Sequence, residues 1–541
     1  MRVDANHALN PQYAPNSFTH KFRPDTAEAP YQLADNTVGR KSHYHHEGKA
    51  SEYDQPWALY KKVMDARARR RLHENTACLD LCTMYTISDT IFREITNIKH
   101  LFTVDTLSLK RITDHFVHQL ENGLTKYNSE IPMNITWVPS FPTGLETGRY
   151  IVIDLGGTNI RICNVELIEQ TGDYRITEDK YRLTDKLKTG TAAELWDLIA
   201  DKLLNFLAKH GLPEEKGTML PLAFTFLYPV TQEHIQHGVL QRWTKGLNIQ
   251  GVVGEDVVSQ FGAVLARKDM PVHIVALVND TVGALTASAY KNPDIRVGSI
   301  FGTGCNAAYM ERCSRIPKAA DQTKALPEHS IVAVNCGYGA FDNGHQVLPR
   351  TKFDLEIDET SARSGQQTYE KMVAGMYLGE LLRLILLHLH ESVGLFGNAD
   401  IKRLRYSGTI GSSSLLKMEA DGTETHRMAE AKNILQDAYG INATDEQLRV
   451  SCILAEIVCT RAARLYACGI AALCRKQQIS ACSVGVDGSA FEKYSRFRER
   501  AGAALREILN WPENQDLVKL VTSEDGSGVG AALIAAIMLN R

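Results

Sequence analysis

From Cys78 onward the apolar positions fall into two alternating periods. Leu101, Phe102, Val104, Leu107, Leu109, Ile112, Phe116 and Leu120 recur at helical spacing and predict one or two amphipathic helices. A further helix is predicted from Ala192 to Lys209, with Leu195, Leu198, Ile199, Leu203, Phe206 and Leu207 on one side. Long helices are predicted over 366–392 and 445–475. Between them lie shorter runs of strand character at 150–167, 175–183, 220–226, 273–279 and 297–302. Strands interleaved with helices predict an α/β architecture. The stretch Pro139-Ser140-Phe141-Pro142-Thr143-Gly144 reads as a loop. The chain closes with strand, glycine turn and helix twice, at Val484–Ser489 and at Val521–Gly528. No short-period repeat is visible. Residues 1–54, rich in Asn, Pro, His, Asp and Tyr and without apolar period, read as a disordered tail.

Composition narrows the class. The 541 residues are 44% hydrophobic and 23% charged, an ordinary globular balance. The length suggests about three domains or two large lobes. With 60 basic and 63 acidic residues the net charge is −3, which points to neither direct nucleic-acid contact nor membrane binding. Eleven cysteines without CxxC spacing read as reduced intracellular thiols. The N-terminus lacks the apolar core of a signal peptide. The apolar run from Gly528 to Leu539 is too short to span a bilayer, so no membrane span is expected. His43-Tyr44-His45-His46 reads as a solvated polar tail or an adventitious metal binder. Arg67-Ala68-Arg69-Arg70-Arg71 reads as a nuclear-localisation or acidic-surface patch, or as the basic face of a short helix.

Three glycine turns at strand ends carry the candidate chemistry. The first, Asp154-Leu155-Gly156-Gly157-Thr158-Asn159, sits between two strands. Its glycines let backbone N–H groups approach an anion and take positive φ. Asp154 is placed to reach a metal ion or its waters. The second turn is Phe301-Gly302-Thr303-Gly304-Cys305-Asn306. The third, Asp525-Gly526-Ser527-Gly528-Val529-Gly530, opens the last helix, where an anion is favoured. Three such cradles suggest a nucleoside triphosphate held between two lobes. Asn279-Asp280-Thr281 ends a strand and begins a helix, so Asp280 reads either as a helix cap or as a base toward an attacking hydroxyl. Lys245, within Arg242-Trp243-Thr244-Lys245-Gly246, is a polyol contact or a surface lysine.

Together these segments resemble the eukaryotic hexokinase family, its fungal branch most closely. The resemblance runs from about Leu79 to the C-terminus. Besides the three turns it rests on Phe141-Pro142-Thr143-Gly144, Leu222 to Pro229, Trp243-Thr244-Lys245-Gly246 and Asn279-Asp280-Thr281-Val282-Gly283. It continues through Leu348-Pro349-Arg350-Thr351-Lys352, Gly365 to Lys371 and Asp487-Gly488-Ser489.

The resemblance implies a two-lobe actin-like ATPase fold closing on a sugar. A polar and basic tail would cover 1–76, and helices of the large lobe 77–146. The small lobe would cover 147–281, the rest of the large lobe 282–529, and a helix returning to the small lobe 530–541. It implies ATP with Mg2+ as phosphoryl donor and a hexose as acceptor. By position, Asp280 would accept the 6-hydroxyl proton, with Lys245 beside it. Thr244, Lys245, Asn279, Asn306 and Glu370 would contact the sugar. Asp154, Gly156, Gly157, Thr158, Asn159, Arg161, Thr303, Gly304, Gly488, Ser489 and Ser527 would serve phosphate, adenosine or, for Asp154, magnesium. Ser412 falls where the family usually has a threonine near the phosphates.

Two sugar-side positions depart from the family pattern. Gly337 stands where the family has a glutamate that bonds sugar hydroxyls, and Leu227 where it has serine. Losing both contacts would cost roughly 3–5 kcal/mol in the transition state. The favoured reading is a regulatory hexokinase-like protein of carbon or nutrient signalling, with weak or lost glucose phosphorylation and regulatory protein partners. An active hexokinase is the alternative. A kinase for a bulkier sugar such as N-acetylglucosamine, with Gly337 making room, is a third reading. The expected location is cytoplasmic, with a nuclear pool if the Arg67–Arg71 segment is a targeting signal.

Overall fold

The computed structural model describes residues 87–168, 172–215, 217–244, 246–422, 428–492, 495–512, 515–523 and 525–540. The expectations for the tail, the histidine run and the basic segment therefore lie outside the described residues.

The predicted helix over 101–120 is two: α1 (Asp89–Phe102) and α2 (Thr106–Thr125). Asp105 caps the second by accepting from the Ser108 N–H. Strand β1 (Asn134–Ile135) follows, then the hairpin β2 (Gly148–Leu155) and β3 (Asn159–Leu167), then β4 (Tyr174–Arg182). Helix α3 (Ala192–His210) starts at a capping box of Thr191 and Glu194 and stops at Gly211, whose φ is +65°. Next come β5 (Leu220–Phe226), the short pair β6 (Val230–Thr231) and β7 (Val239–Leu240), α4 (Val257–Arg267) and β8 (Val272–Val278). Helix α5 (Asp280–Lys291) leads to β9 (Ile295–Phe301), β10 (Cys305–Arg312) and β11 (Ile331–Asn335).

The helix predicted over 366–392 is broken into α7 (Thr368–Val373) and α8 (Gly375–Val393), after a short α6 (Lys352–Thr360). Ala374 is extended at the break. The reason is tertiary: the N–H groups of Gly375 and Met376 bond the carbonyls of Gly302 and Thr303 in the second glycine turn. Helices α9 (Ser412–Ala420), α10 (Ala429–Tyr439) and α11 (Asp445–Lys476) follow. Strand β12 (Cys482–Asp487), α12 (Ser495–Leu509), β13 (Val518–Thr522) and α13 (Ala531–Leu539) end the chain. Helix α11 is long and apolar enough to cross a membrane, but 89% of its apolar window is buried in the protein, so it is a core helix. The cysteines described, Cys163 to Cys482, are free and buried.

Two sheets organise these elements. One has the order β4-β3-β2-β5-β8, the other β1-β11-β10-β9-β12-β13. In the first, β2 pairs antiparallel with β3, β3 with β4, and parallel with β5, which continues to β8. In the second, β9 pairs antiparallel with β10, β10 with β11, and parallel with β12, which continues to β13. Apart from the added edge strand β1, the two sheets share one topology. This duplication is of path rather than of residues, so no short sequence period reveals it. It puts a glycine turn in the first hairpin of each sheet and a helix after the fifth strand of each.

Those two helices meet without side chains between them. A Cβ on Gly283 of α5 would lie 2.1 Å from the Gly526 carbonyl oxygen, and one on Gly530 would lie 2.0 Å from the Gly283 carbonyl oxygen. Around the crossing, Val282 and Leu285 of α5, Val529, and Leu533 and Ile534 of α13 join β2, β5 and β8 in one buried cluster. Behind the first sheet, Trp196, Phe224 and Phe261 pack together against α3 and α4. The largest cluster surrounds α11 with α2, α8 and the second sheet.

Gly283→Ala sets a methyl against backbone on both sides of the crossing. The variant is expected to lose about 1–3 kcal/mol or more, read as a lower urea midpoint. An unchanged midpoint would show that the crossing can yield.

Candidate active site

The first glycine turn hangs from paired strands. Asp154 lies opposite Arg161 on β3 and Thr225 on β5. The Gly156 N–H bonds the Asn159 carbonyl at 3.0 Å, and the Tyr228 hydroxyl donates to the Gly156 carbonyl at 2.9 Å. Gly156 does not take the left-handed backbone that its residue type allowed. A Cβ there would meet Asn159 and Leu227 only at ordinary distances of 3.5 and 3.6 Å. Its lack of a side chain instead leaves the turn open to a ligand. Thr158 and Asn159 are exposed at the tip and Gly157 is half-buried.

The third turn closes over the first. The Ser527 hydroxyl donates to Asp154 Oδ2 at 2.8 Å, and Thr225 Oγ1 donates to the Ser527 carbonyl at 2.8 Å. Residues 526–530 form a single π-helical turn entering α13. Asp525, at φ +23°, accepts from the Gly528 N–H. It also takes a two-pronged bond from Arg161, with Nη1 on Oδ1 at 2.6 Å and Nη2 on Oδ2 at 2.5 Å. Arg161 Nε is bonded to Glu178. The guanidinium expected to serve phosphate is thus held by two carboxylates, and it ties β3 and β4 to the turn that carries Ser527.

The second turn is buttressed by α7 and by the end of β12, its neighbour in the same sheet. Glu370 Oε2 accepts from the Cys305 N–H at 3.1 Å and lies 2.7 Å from where a Cβ on Gly304 would be. Thr303 is exposed at the tip. Gly488 has φ +140°, and any Cβ on it would lie 2.0 Å from the Phe301 carbonyl oxygen, so β12 reaches the second turn only through glycine. Ser489 opens the short helix Ser489–Glu492. Ser412 sits beside Gly375, its Oγ 3.2 Å from that glycine's Cβ position, and so next to the second turn.

Asp280 is the first residue of α5 rather than its cap. Asn279 is the cap, its side chain accepting from the Thr281 N–H at 3.0 Å. Asp280 Oδ1 accepts from the same N–H at 2.8 Å and from Thr281 Oγ1 at 3.2 Å. The cap position thus belongs to Asn279 rather than to Asp280. Asp487, at the end of β12, is close enough to Asp280 and Asp525 to feel both charges. Burial first, and then these neighbours, push its carboxyl up to about 6. Thr244 is half-buried in the loop after β7, where Arg363 Nη2 reaches the Trp243 carbonyl at 3.0 Å. Lys245 lies outside the described residues.

The side chain of Asn306 is fully engaged. Its Nδ2 donates to Thr281 Oγ1 at 3.0 Å and to Asn335 Oδ1 at 2.6 Å, while Oδ1 accepts from the Gly337 N–H at 2.9 Å. Gly337 itself is left-handed, at φ +66°, and a Cβ there would lie 2.7 Å from the Pro132 ring. At 337 the N–H bonds Asn306 and the Pro132 ring occupies the place of a side chain. Leu227 leans over the first turn, its Cδ1 3.6 Å from the Gly156 Cβ position.

Sequence reasoning missed Pro132, Asn335, Glu178, Arg363 and the role of Asp525. All act through partners far away in the chain, and no local motif marks them. Among the described residues no group of three His, Cys, Asp or Glu side chains can hold a metal ion alone. The open cradles and Asp154 fit a metal that arrives with nucleotide phosphates, not a resident protein site.

Comparison with known proteins gives one answer. Two family profiles, each described as hexokinase, match residues 94–290 and residues 296–537. The chain is 48% identical to a hexokinase of Emericella nidulans over 462 residues, covering 85% of this chain and 93% of that protein. It is 42% identical to Hexokinase-1 of Saccharomyces cerevisiae over 463 residues, covering 85% and 95%. Among solved structures it matches a Schistosoma mansoni hexokinase complexed with glucose, with a TM-score of 0.74 and 34% identity over 83% of this chain and 99% of that one.

The raised Asp487 carboxyl has a signed consequence. Between the ordinary aspartate value of 3.8 and about 6, the folded protein holds a proton that the unfolded chain has lost. Its burial therefore costs stability above that window, and the cost is relieved as pH falls through it. Asp487→Asn is expected to be more stable than wild type near pH 7, with the gain shrinking toward about pH 5. Urea titrations at both pH values measure this, and an equal difference at both would contradict it.

Proposed function

The chain belongs to the hexokinase family, and on that premise we propose that it pairs a competent nucleotide side with a weakened sugar side. It phosphorylates glucose slowly and serves in carbon or nutrient regulation. The observation that carries this reading is Gly337: a left-handed glycine against Pro132, its N–H spent on Asn306, where a sugar-binding carboxylate is expected. Leu227 adds an apolar side chain where a hydroxyl is expected, beside the first turn.

The reaction divides among named groups. The sugar 6-oxygen attacks the γ-phosphorus, the bond to the bridging oxygen breaks, and the hydroxyl proton passes to the carboxylate of Asp280. The glycine turns at 156–157, 302–304 and 526–528 would hold phosphates through the backbone N–H groups other than those of Gly156, Gly302 and Gly528, which bond Asn159, Gly304 and Asp525. By their place in the family motif, Thr244 and Lys245 would contact the sugar. A magnesium ion brought with ATP would supply charge neutralisation for the transferring phosphoryl group. Asp154, oriented by Ser527, is the carboxylate best placed to hold that ion's waters. Arg161 supports the step by fixing Asp525, and through it the turn of Ser527.

An ordinary glucose kinase is the second reading, supported by relatives named simply hexokinase. The bulkier-sugar reading finds no support at Gly337, because Pro132 fills the space beside it. The cytoplasm is the proposed location, and regulatory partners belong to the same proposal.

A coupled assay with Mg·ATP and glucose is expected to give kcat/KM about 10²–10⁴-fold below that of the Saccharomyces cerevisiae relative. Turnover above about 10 s⁻¹, the enzyme median, would contradict the weakened site. Leu227→Ser is expected to raise kcat/KM. Gly337→Glu alone is expected not to, since φ +66° and the Pro132 ring oppose a side chain there. Full activity from Gly337→Glu would show that the loop rebuilds freely.

A further inference from the structure

Lys318 is a half-buried cation with no acid beside it among the described residues. It lies in the short 3-10 turn Pro317–Ala319, outside both sheets. Its Nζ donates to the carbonyls of Gly123, Pro132 and Met133 at 2.7, 2.6 and 2.7 Å. An ammonium has three N–H donors, and all three are spent on main-chain oxygens. Burial pushes the group down to about 8, and no nearby carboxylate opposes that shift. The three carbonyls lie at the end of α2 and in the segment leading into β1, which Met133 bends sharply at φ +47°.

The segment that Lys318 pins is the outer wall of the sugar side. The Met133 N–H bonds the Cys336 carbonyl at 3.0 Å, and Asn134 pairs with Asn335 where β1 joins β11. The Pro132 ring fills the place of a Gly337 side chain. From Gly337 and Asn335 the bonds continue through Asn306 to Thr281 Oγ1, and Thr281 bonds Asp280. An unbroken series of contacts thus runs from the Lys318 ammonium to the carboxylate that faces the sugar hydroxyl.

We propose that Lys318 is a positioning residue for sugar recognition, holding Pro132 and Met133 against Gly337 and thereby setting Asn306 and Asp280. The proposal rests on the sugar-site reading above. It assigns the geometry of that site to a residue that touches no substrate, and it explains why a glycine is tolerated at 337: the lysine-pinned proline supplies the wall.

The test uses the full chain with Lys318→Met and, separately, Pro132→Ala, which keeps the ammonium but removes the ring. Both are expected to change kcat/KM for glucose by about tenfold while KM for ATP stays within about twofold. Amide exchange at 133–136 and 335–337 is expected to speed up by about tenfold, with the turn at 156–159 unchanged. Equal losses on sugar and nucleotide, or no change in either, would overturn the proposal. If Lys318→Met fails to fold, Pro132→Ala decides. If wild type neither binds nor phosphorylates glucose, the sugar-site reading fails separately, and the exchange pattern alone decides: localised acceleration supports the pin, and global or absent acceleration overturns it.

Discussion

The site exists because two helices touch backbone to backbone. Gly283 on α5 and Gly526 and Gly530 on the final turn leave no room for a Cβ, and that contact fixes the distance between the fifth strands of the two sheets. Asp280 begins one helix and Asp525 precedes the other, so the crossing brings both carboxylates toward Asp487. Burial first, and then repulsion between like charges so placed, raise the Asp487 carboxyl. The Arg161 fork on Asp525 offsets part of it and carries the constraint on to β3 and the first turn. Close packing and charge convergence thus follow from one glycine contact.

Both sides of the cleft hold bonds made within the protein. The nucleotide side is built of turns whose bonds are made within the protein: Ser527 to Asp154, Tyr228 to Gly156, and Gly375 to Gly302. It is pre-organised before any ligand arrives. On the proposed sugar side, the Asn306 amide likewise bonds Thr281, Asn335 and Gly337.

Much of this was legible in the sequence, for physical reasons. Strong periods marked α3 and α11, and strand–glycine–helix order marked the phosphate turns and the family. Helix 366–392 was misjudged at Ala374, because its break comes from the second turn's carbonyls, a partner no local pattern shows. The duplication of the two sheets was invisible, since topology repeats while residues do not. The substitution at 337 was visible as a missing carboxylate. Its left-handed backbone and its dependence on Pro132 were not, because conformation at a glycine is set by neighbours rather than by the residue.

The central claim is that the nucleotide side is whole and the sugar side is weakened. Calorimetric titration of the full chain with Mg·ADP and, separately, with glucose tests it most directly. The account predicts saturable one-to-one nucleotide binding, with glucose saturating only in the millimolar range or above. Micromolar glucose binding, or no nucleotide binding, would contradict it.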